Sequence, residues 1–583
     1  MTVDAAARSR MVMQRTIRLG LIGAAVVIYL AVIGMIESFN ERPIITGVIQ
    51  FGTVLIVAVM ALFGYLAARS RAGEMDTERP WLNAAIAGGL TGAGTGIFVI
   101  VVELLIAAGY DPRVMFVNIT PALTEILTFG TNPYVGTLIL TVGGALIGMG
   151  AGFLVNVSQR VRSMIVVGLT SIVLTALAAP LLEVMMDGLG IPTAWLFQRE
   201  GLTPIGVVFV VVVVLGVYLG LERFGGIRGA AVRLPGASEK NVNTVLVLVT
   251  GVVLLALPWI VNSFISDVLG TVGLYILLGL GLNIVVGFAG LLDLGYVAFY
   301  AVGAYSVAIL TARSSFMVGG SILAPATEGF TNFWVALPIT ILLAVVIGAL
   351  IGAPVLRLRG DYLAIVTLGF GEIIRTLALS DWLKPYLGGP QGITEVAAIP
   401  LFGLDTRNPQ VLYYVIFAFV LIAFAISVRL KDSRVGRAWA AMREDEDIAE
   451  GMGVSVIKYK LLAFAMGAAV GCLGGAFFAA KLGVVNPGSF TLLVSINVLA
   501  VVVLGGMGSI PGVVLGSLVL VGLPELLREF GEYRLHLYGA ILIAIMILKP
   551  EGLLPDWRRA RELHSEVRPE DLIEEPGTPQ PVV

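Results

Sequence analysis

Cysteine and histidine are almost absent from this sequence of 583 residues, which has one cysteine and two histidines. Because a disulfide needs two cysteines, the lone Cys472 excludes an intramolecular disulfide framework, and its apolar surroundings favour a packing residue over a reactive thiol. His536 and His564 stand outside any Cys/His cluster, so the sequence offers no metal site. A Gly-x-x-x-x-Gly-Lys-Ser/Thr loop is also missing, which excludes ATP binding by a P-loop in this chain.

Charged residues are scarce as well, at 13% of the chain against roughly 25% in ordinary soluble domains. Hydrophobic residues make up 58%, and the mean hydropathy is +0.96. The net charge of −2 gives no general attraction for an anionic partner. This composition excludes a soluble enzyme, a disordered chain and a nucleic-acid-binding protein. It predicts an all-α polytopic protein surrounded by membrane lipid.

A helix needs about 20 mostly apolar residues to cross a bilayer, and the sequence has about 14 to 15 such segments. The first part of the chain has six: Ile17–Ile36, Ile44–Ala68, Leu82–Gly109, Tyr134–Val155, Met164–Val184 and Ile205–Leu221. The second part has nine: Thr244–Val261, Val268–Phe288, Tyr296–Thr311, Phe333–Leu356, Tyr362–Ser380, Val411–Leu430, Leu461–Ala480, Val494–Leu523 and Tyr538–Leu548. No small-residue cleavage pattern follows the first segment, so we expect a retained helix there and not a signal peptide.

Basic residues in the loops set the expected orientation, because loops rich in Lys and Arg stay in the cytoplasm. They gather before the first segment, in the charged stretch 223–243, in the loop 431–460, and at Arg69, Arg71, Arg79, Arg160, Arg162, Arg357 and Arg359. We therefore predict a cytoplasmic N-terminus (1–16), a six-helix membrane extension (17–222), a cytoplasmic linker (223–243) and a second membrane region (244–556). The acidic, proline-containing tail (557–583) is expected to be disordered and cytoplasmic.

The cytoplasmic C-terminus requires one segment of the second region to be folded back on itself. The apolar run Val494–Leu523 has a glycine- and proline-rich centre that includes Gly505, Gly506, Gly508 and Pro511. Such a centre favours two shorter helices in a re-entrant hairpin, and broken backbone at membrane depth needs protein or a water-filled path around it. A similar break is expected around Gly290 and Gly295, between two other apolar segments.

Several blocks of the second region together resemble a known family. They are residues 281–290 (GLNIVVGFAG), 294–305 (LGYVAFYAVGAY), 357–368 (RLRGDYLAIVTL), 388–393 (GGPQGI), 433–439 (SRVGRAW), 443–446 (REDE) and 503–509 (VLGGMGS). In this order, over roughly residues 243–556, they resemble the M-type permease of bacterial branched-chain amino acid ATP-binding cassette (ABC) importers. The chain departs from many members at Leu291 and Asp293, where they have Gln and Ser, and residues 1–222 match nothing in the family.

The resemblance implies an ABC importer permease core over 244–556, in the bacterial cytoplasmic (inner) membrane, with both termini cytoplasmic. Its implied partners are an H-type permease subunit, two cytoplasmic ABC ATPases and an extracytoplasmic amino-acid-binding protein. ATP would be bound on the ATPases, so this chain needs no cofactor and is not an enzyme. Selectivity would reside mainly in the binding protein, so the solute could also be urea or a short amide.

The loop 431–460 is expected to couple ATP hydrolysis to transport. Acids at the start of a short helix favour the positive end of its dipole, and Gly453 is a natural stop. Ile448, Ala449 and Met452 are predicted to form one apolar face. The charges alone favour a solvated loop, but in register with the family's coupling loop they imply a helix that docks on an ATPase. The predicted coupling residues are Arg443, Glu444, Asp445, Glu446, Glu450 and Gly453.

Ionisable groups inside the apolar segments are candidates for a translocation path, because charges in lipid are costly and usually face protein or water. Glu372 and Arg375 are three residues apart and could pair on one helix face. For these two a structural ion pair is the competing interpretation, and for Asp293 a helix cap. Asn283 and Tyr300 are weaker path candidates.

The first region has glycines spaced by four, at Gly88, Gly92 and Gly96 and at Gly144, Gly148 and Gly152. Such stripes let helices approach closely in lipid, so these two helices are expected to pack on each other or on the permease core. We expect a structural accessory domain. Two rival functions remain for the whole chain: an ion-coupled secondary carrier using Asp293 or Glu372, and a membrane scaffold built on residues 1–222.

Overall fold

The computed structural model describes residues 2–69, 80–199, 201–224, 254–260, 262–312, 332–355, 360–401, 403–526 and 551–555, with isolated positions at 251, 358 and between 533 and 549. It divides into two compact units, Met1–Leu254 and Leu255–Val583. Outside the described residues lie most of the predicted linker 223–243, the tail 557–583, much of Tyr538–Leu548, and Arg71, Arg79, Arg357 and Arg359.

The first unit consists of helices and four very short strands. The helices are α1 (Thr2–Val32), α2 (Met35–Asn40), α3 (Phe51–Ala68), α4 (Pro80–Ala107), α5 (Pro121–Thr128), α6 (Pro133–Asn156), α7 (Gln159–Leu177), α8 (Ala179–Gly188) and α9 (Pro204–Phe224). The strands are β1 (Pro43–Ile45), β2 (Ile49–Gln50), β3 (Phe197–Gln198) and β4 (Gly201–Leu202), in the order β2-β1-β4-β3. Each predicted apolar segment of this region is largely helical, although Ile17–Ile36 and Met164–Val184 each cover parts of two helices.

Three helix boundaries differ from the sequence prediction. Helix α1 begins at Thr2 and not at Ile17, because the preceding residues are strong helix formers without Gly or Pro. Helix α3 begins at Phe51 and not at Ile44, since β1 and β2 occupy the residues before it. The predicted segment Met164–Val184 is broken at Ala178 into α7 and α8, with a proline in the first turn of α8.

Helices α4 and α6 pack through their two glycine stripes. A Cβ placed on Gly88 would strike the carbonyl of Gly144, and one on Gly92 would strike the carbonyl of Leu140. A Cβ on Gly148 would likewise meet the carbonyl of Ala84. The backbones therefore touch directly, which is the first of the two packings that the glycine spacing predicted.

Besides the helical residues 255–260, the second unit has twelve α-helices with defined bounds. They are α10 (Ser263–Leu282), α11 (Val297–Thr311), α12 (Phe333–Val355), α13 (Asp361–Leu379), α14 (Lys384–Leu387), α15 (Pro409–Asp432), α16 (Arg434–Glu444), α17 (Glu446–Gly451), α18 (Val456–Leu482), α19 (Leu492–Gly505), α20 (Ile510–Ser517) and α21 (Leu523–Leu526). Strands β5 (Ile393–Thr394) and β6 (Val484–Val485) form an antiparallel pair. Two π-helical segments, Asn283–Phe288 and Leu518–Gly522, continue α10 and α20.

Helices α10, α11 and α18 form the centre of this unit. The ring of Tyr296 is fully buried where Gly281 and Gly471 leave room for it, and its hydroxyl donates to the carbonyl of Gly467 at 2.8 Å. Phe299 packs edge-on against that ring, with centroids 5.7 Å apart. The glycines of α10 and α18 therefore admit aromatic side chains that fix the residues just before α11.

Among the described residues, 11 helices are long and apolar enough to cross a membrane, and three further apolar helices are shorter. The short ones are Pro204–Gly220, Val297–Thr311 and Ile510–Glu525. Many large apolar side chains on these helices are exposed, such as Ile97, Leu342 and Ile365. Exposed apolar surface on spanning helices is what lipid contact requires, so the predicted all-α polytopic membrane fold is confirmed.

Candidate functional site

The loop between α15 and α18 folds into two short helices, α16 and α17, and not into one helical run. Ser433 caps α16, its hydroxyl accepting from the backbone N–H groups of Val435 and Gly436 at 3.1 and 3.2 Å. Asp445 lies between the helices in an extended conformation and caps α17, its carboxylate accepting from the N–H groups of Asp447 and Ile448 at 2.9 Å. Arg443 and Glu444 therefore end the first helix, and the acids from Asp445 onward begin the second.

The predicted apolar face of α17 is split in the structure. Ala449 is buried, whereas Ile448 and Met452 are 67% and 82% exposed. Ile448 and Ala449 are adjacent on α17 and therefore point about 100° apart. Met452 follows the last residue of the helix, Gly451. Glu444 and Glu450 are also exposed. This leaves two large apolar side chains beside two acids on the outer surface of the loop.

Two buried contacts fix the short helices to α18. Trp439 is fully buried, and its indole N–H donates to the carbonyl of Tyr459 at 2.9 Å. Lys460, with 4% of its side chain exposed, forms an ion pair with Glu446 at 2.8 Å. A buried, hydrogen-bonded pair holds its geometry far better than an exposed one, so each short helix is attached to α18 at a defined point.

Arg443 reaches from α16 to the place where α10 ends. Its Nη1 donates to the carbonyl of Gly287 at 2.8 Å. The aliphatic part of its side chain lies against Gly290, where a Cβ would come within 2.7 Å of Arg443 Cγ. Gly290 has φ +74°, a conformation that a side chain would strain, and it begins the predicted break. The arginine thus occupies the space that the glycine leaves.

The predicted break within Val494–Leu523 lies between α19 and α20, with residues 506–509 at the turn. Gly506 and Gly508 have φ +114° and +82°. Ser509 caps α20, its hydroxyl accepting from Gly512 N–H at 3.1 Å, and Pro511 lies in the first turn. The two helices touch where Gly505 and Gly512 face one another. The chain therefore turns between two helices where the sequence predicted a break, and the re-entrant path of this hairpin stays a prediction.

The Gly508 turn and the end of α10 meet at one place, which we call the glycine junction and define as Gly287, Gly290, Gly506 and Gly508. Asn283 Oδ1 accepts from the Gly508 N–H at 2.9 Å. Lys431, from the end of α15, donates to the Gly508 carbonyl at 3.1 Å. Sequence reasoning missed Lys431, although a lysine at the end of an apolar segment is a signal of a backbone or charge contact.

The remaining predicted path residues have defined partners. Asp293 is buried and accepts from the Gly295 N–H at 2.9 Å, in the turn before α11 and not at its first residues, and the N-cap residue of that helix makes no side-chain cap hydrogen bond. Tyr300 is buried among aromatic rings, 5.1 Å from Phe478 and 5.3 Å from Phe490. Among the path candidates, only Asn283 is hydrogen-bonded to the glycine junction in the part of the chain that the structure describes.

Glu372 and Arg375 pair on one face of α13, as predicted from their spacing, with Arg375 Nε 3.0 Å from Glu372 Oε2. Their side chains are 41% and 35% exposed, so this pair lies on an accessible face of the unit. Gly295 lies against the carbonyl of Thr367 on the same helix, and Thr367 Oγ1 accepts from the Leu294 N–H at 3.1 Å. Helix α13 is thereby fastened to the predicted break.

A second charged contact lies at the other end of α10 and α18. Lys481 is nearly buried, donates to the backbone carbonyl of Asp267 at 2.8 Å and to the hydroxyl of Thr271, and lies 3.1 Å from Asp267 Oδ1. These residues were missed by sequence analysis because each is a lone polar group at the edge of an apolar segment. Within the described residues, no group of three or more His, Cys, Asp or Glu could hold a metal ion.

Comparison with known proteins identifies relatives of the second unit. The family model described as branched-chain amino acid transport system / permease component matches residues 264–548. The high-affinity branched-chain amino acid transport system permease protein LivM of Escherichia coli is 40% identical over 353 residues, 56% of this chain and 79% of that protein. The probable LivM of Methanocaldococcus jannaschii is 27% identical over 328 residues, 50% of this chain and 94% of that protein.

LivH of Escherichia coli, another high-affinity branched-chain amino acid permease protein, is 26% identical over 300 residues. That alignment covers 48% of this chain and 91% of the relative. No solved structure matches. The higher identity to LivM agrees with the M-type resemblance of the sequence blocks.

Proposed function

Since this chain belongs to the permease family of branched-chain amino acid transport systems, we propose that it is the M-type membrane subunit of an ABC importer. It moves branched-chain or related hydrophobic amino acids across the bacterial cytoplasmic membrane by alternating access. It is a transport subunit and not an enzyme. ATP is bound and hydrolysed on two partner ATPases, so this chain carries no cofactor of its own.

The observation that carries the proposal is the construction of the loop formed by α16 and α17. Both helices are attached to α18 by buried contacts, at Trp439 and Lys460, while Ile448 and Met452 are exposed beside Glu444 and Glu450. Exposed apolar side chains on a rigid support, with charges around them, are what a protein partner recognises. We propose that this surface docks on an ATPase.

The curated relatives include two kinds of permease, LivM and LivH, which supports an unlike permease as the partner in the membrane. We further propose an extracytoplasmic binding protein that delivers the amino acid. Residues 431–460 are cytoplasmic in this assignment. The segment 551–555 lies at the same end of the unit, because Leu553 N–H donates to Leu504 O at 2.8 Å next to the Gly506 turn. The C-terminus is then cytoplasmic, and the basic residues before the first helix support a cytoplasmic N-terminus as well.

The path residues Asn283, Asp293, Tyr300, Glu372 and Arg375 stay predictions. Asn283 has the strongest case, since it lies where α10 changes to a π-helical segment, and such segments often mark functional hinges. The exposed pair on α13 fits contact with a partner subunit or a structural role.

The proposal is tested by purifying this chain from detergent-solubilised membranes and measuring ATP hydrolysis with and without leucine-loaded binding protein. The expected result is co-purification of two ATPases whose turnover rises when the loaded protein is added. Addition of the empty binding protein, or of protein loaded with urea, is the control for solute class. Recovery of the chain without any ATPase would contradict the proposal and favour an ion-coupled carrier.

A further inference from the structure

Two cations of the loop 431–460 are directed at the glycine junction. Arg443 donates to the Gly287 carbonyl at 2.8 Å, and Lys431 donates to the Gly508 carbonyl at 3.1 Å. Arg443 also lies close to Gly508, because a Cβ placed on Gly508 would be 3.5 Å from Arg443 Nη1. The two cations therefore approach the junction from two different helices, α16 and α15.

The carbonyls that they contact belong to backbone that cannot complete a regular helix. Gly287 lies in the π-helical end of α10, and Gly508 lies in the turn between α19 and α20. Backbone oxygens at such breaks need donors, and a charged donor gives the stronger hydrogen bond. Asn283 joins the two breaks by accepting from Gly508 N–H, so a movement of one displaces the other.

We infer that Arg443 and Lys431 are positioning residues that transmit movement of α16 and α17 to the glycine junction, so that the end of α10 and the hairpin of α19 and α20 shift together. This inference rests on the proposed function, because it assumes that an ATPase moves the loop. The anchors at Trp439 and Lys460 make α16 and α17 move with α18, and the two cations link that movement to the hairpin.

The hairpin of α19 and α20 is also held by contacts that do not involve Arg443 or Lys431. A variant of either cation can therefore lose the transmission of movement without unfolding the hairpin. Leu553 N–H and Leu554 N–H donate to the carbonyls of Leu504 and Gly505 at 2.8 and 3.0 Å. Gly505 and Gly512 also hold α19 against α20. Loss of Arg443 therefore leaves the hairpin folded and removes its connection to α16.

The test uses the complete transporter, reconstituted with its ATPases and binding protein, and compares Arg443→Ala with the native chain. Leucine transported per ATP hydrolysed is expected to fall about tenfold, while ATP hydrolysis and recovery of the complex are unchanged. Hydrogen–deuterium exchange gives the second readout. In the native complex, nucleotide is expected to change exchange in residues 446–453 and in 503–512. In Arg443→Ala only the first change should remain.

Three further variants sharpen the result. Arg443→Lys should recover part of the coupling, since an ammonium can still donate to the Gly287 carbonyl. Lys431→Ala should behave as Arg443→Ala does, with a nucleotide-dependent change in exchange at 446–453 and none at 503–512. If Arg443→Ala is not recovered as a complex, Lys431→Ala alone tests the inference. Arg429→Ala removes an equal charge from an exposed position on α15 and should behave as the native chain.

Native coupling and a nucleotide-dependent change at 503–512 in both Arg443→Ala and Lys431→Ala would overturn the inference. That outcome would leave the proposed function intact, because the native complex would still import leucine at the expense of ATP. A native complex without ATPases would instead refute the proposed function itself.

Discussion

Both units of this protein use glycine for close helix packing, but only the second combines it with interrupted helices whose backbone is held by long polar side chains, among the described residues. In the first unit, glycines on α4 and α6 keep helical geometry and bring two regular helices into backbone contact. In the second unit, Gly290, Gly506 and Gly508 have positive φ and interrupt helices, and long polar side chains hold the interrupted backbone. The first pattern favours a rigid packing surface. The second favours a part that can change shape.

Polar contacts between distant elements occur in both units. In the first, Thr91 donates to Gly20 O at 3.2 Å as well as to Ala87 O in its own helix at 2.9 Å. In the second, Lys431 and Asn283 both bond to Gly508, whose backbone is interrupted. Contacts that join distant elements at an interrupted helix are what transmission of movement needs, so we expect the moving part of the proposed transporter in the second unit.

The largest expected effect is that of Gly506→Val, which tests the interrupting glycines. With φ +114° a β-branched residue is strained by about 1–3 kcal/mol, and its Cβ would also come within 3.0 Å of the Leu554 carbonyl. Amino-acid uptake is expected to be abolished. The control is Gly270→Ala on α10, where the nearest atom is at an ordinary 3.8 Å. Equal uptake by Gly506→Val and the control would show that the turn geometry is dispensable.

The loop itself is tested by Gly453→Pro and Glu450→Lys. Proline cannot adopt φ +88°, and the hydrogen bond from Gly453 N–H to the Glu450 carbonyl at 2.9 Å would be lost. Reversal of the Glu450 charge alters the exposed surface without changing the backbone. Both variants are expected to insert in the membrane and to lose ATP-driven uptake, measured in whole cells with immunoblotting for insertion. Normal uptake by both would reject the coupling assignment.

A smaller effect is expected from the packing glycines of the first unit. Gly144→Leu overpacks the contact with α4, and such changes destabilise by about 1–3 kcal/mol. The melting temperature of the purified protein should fall, while uptake falls far less than in Gly506→Val. Gly143→Leu, on the same helix but facing open space, is the matched control. If Gly144→Leu abolishes uptake without lowering the melting temperature, the first unit has more than a packing role.

The smallest effect is expected for Glu372→Gln and Arg375→Met. A half-exposed pair three residues apart contributes about 0.5 kcal/mol or less, after allowance for its exposure. Uptake should change little, and the double variant should resemble each single one. A severe loss of uptake in either single variant would place this pair on the translocation path.

Apolar runs and breaking residues made most of the fold predictable. Runs of about 20 apolar residues became helices, and the sequence around Gly505–Pro511 became a hairpin turn, because glycine and proline act locally. Helix ends were less predictable where a favourable neighbour sequence extended them, as at Thr2. The interruption at Ala178 depends on Pro180 inside an apolar run, and hydropathy alone does not detect it.

For the loop 431–460 and the glycine junction, the sequence predicts which residues take part better than it predicts their contacts. The sequence predicts breaks at Gly290 and Gly508, but it does not place Arg443 against them. Arg443 and Gly287 are 156 residues apart in sequence, and only the fold brings them into contact. The division of the loop into α16 and α17 depends on Asp445, whose capping role decides which residues are exposed. Long-range hydrogen bonds are properties of the packed structure, so a single sequence gives their donors but not their acceptors.

The central claim is that the second unit imports amino acids with energy from ATP. It is tested most directly by leucine uptake into vesicles that contain the reconstituted complex, with ATP enclosed on the side of residues 431–460 and leucine-loaded binding protein on the other. The account predicts uptake that requires both ATP and the binding protein and that a protonophore leaves unchanged. Uptake without ATP that collapses with the protonophore would contradict it.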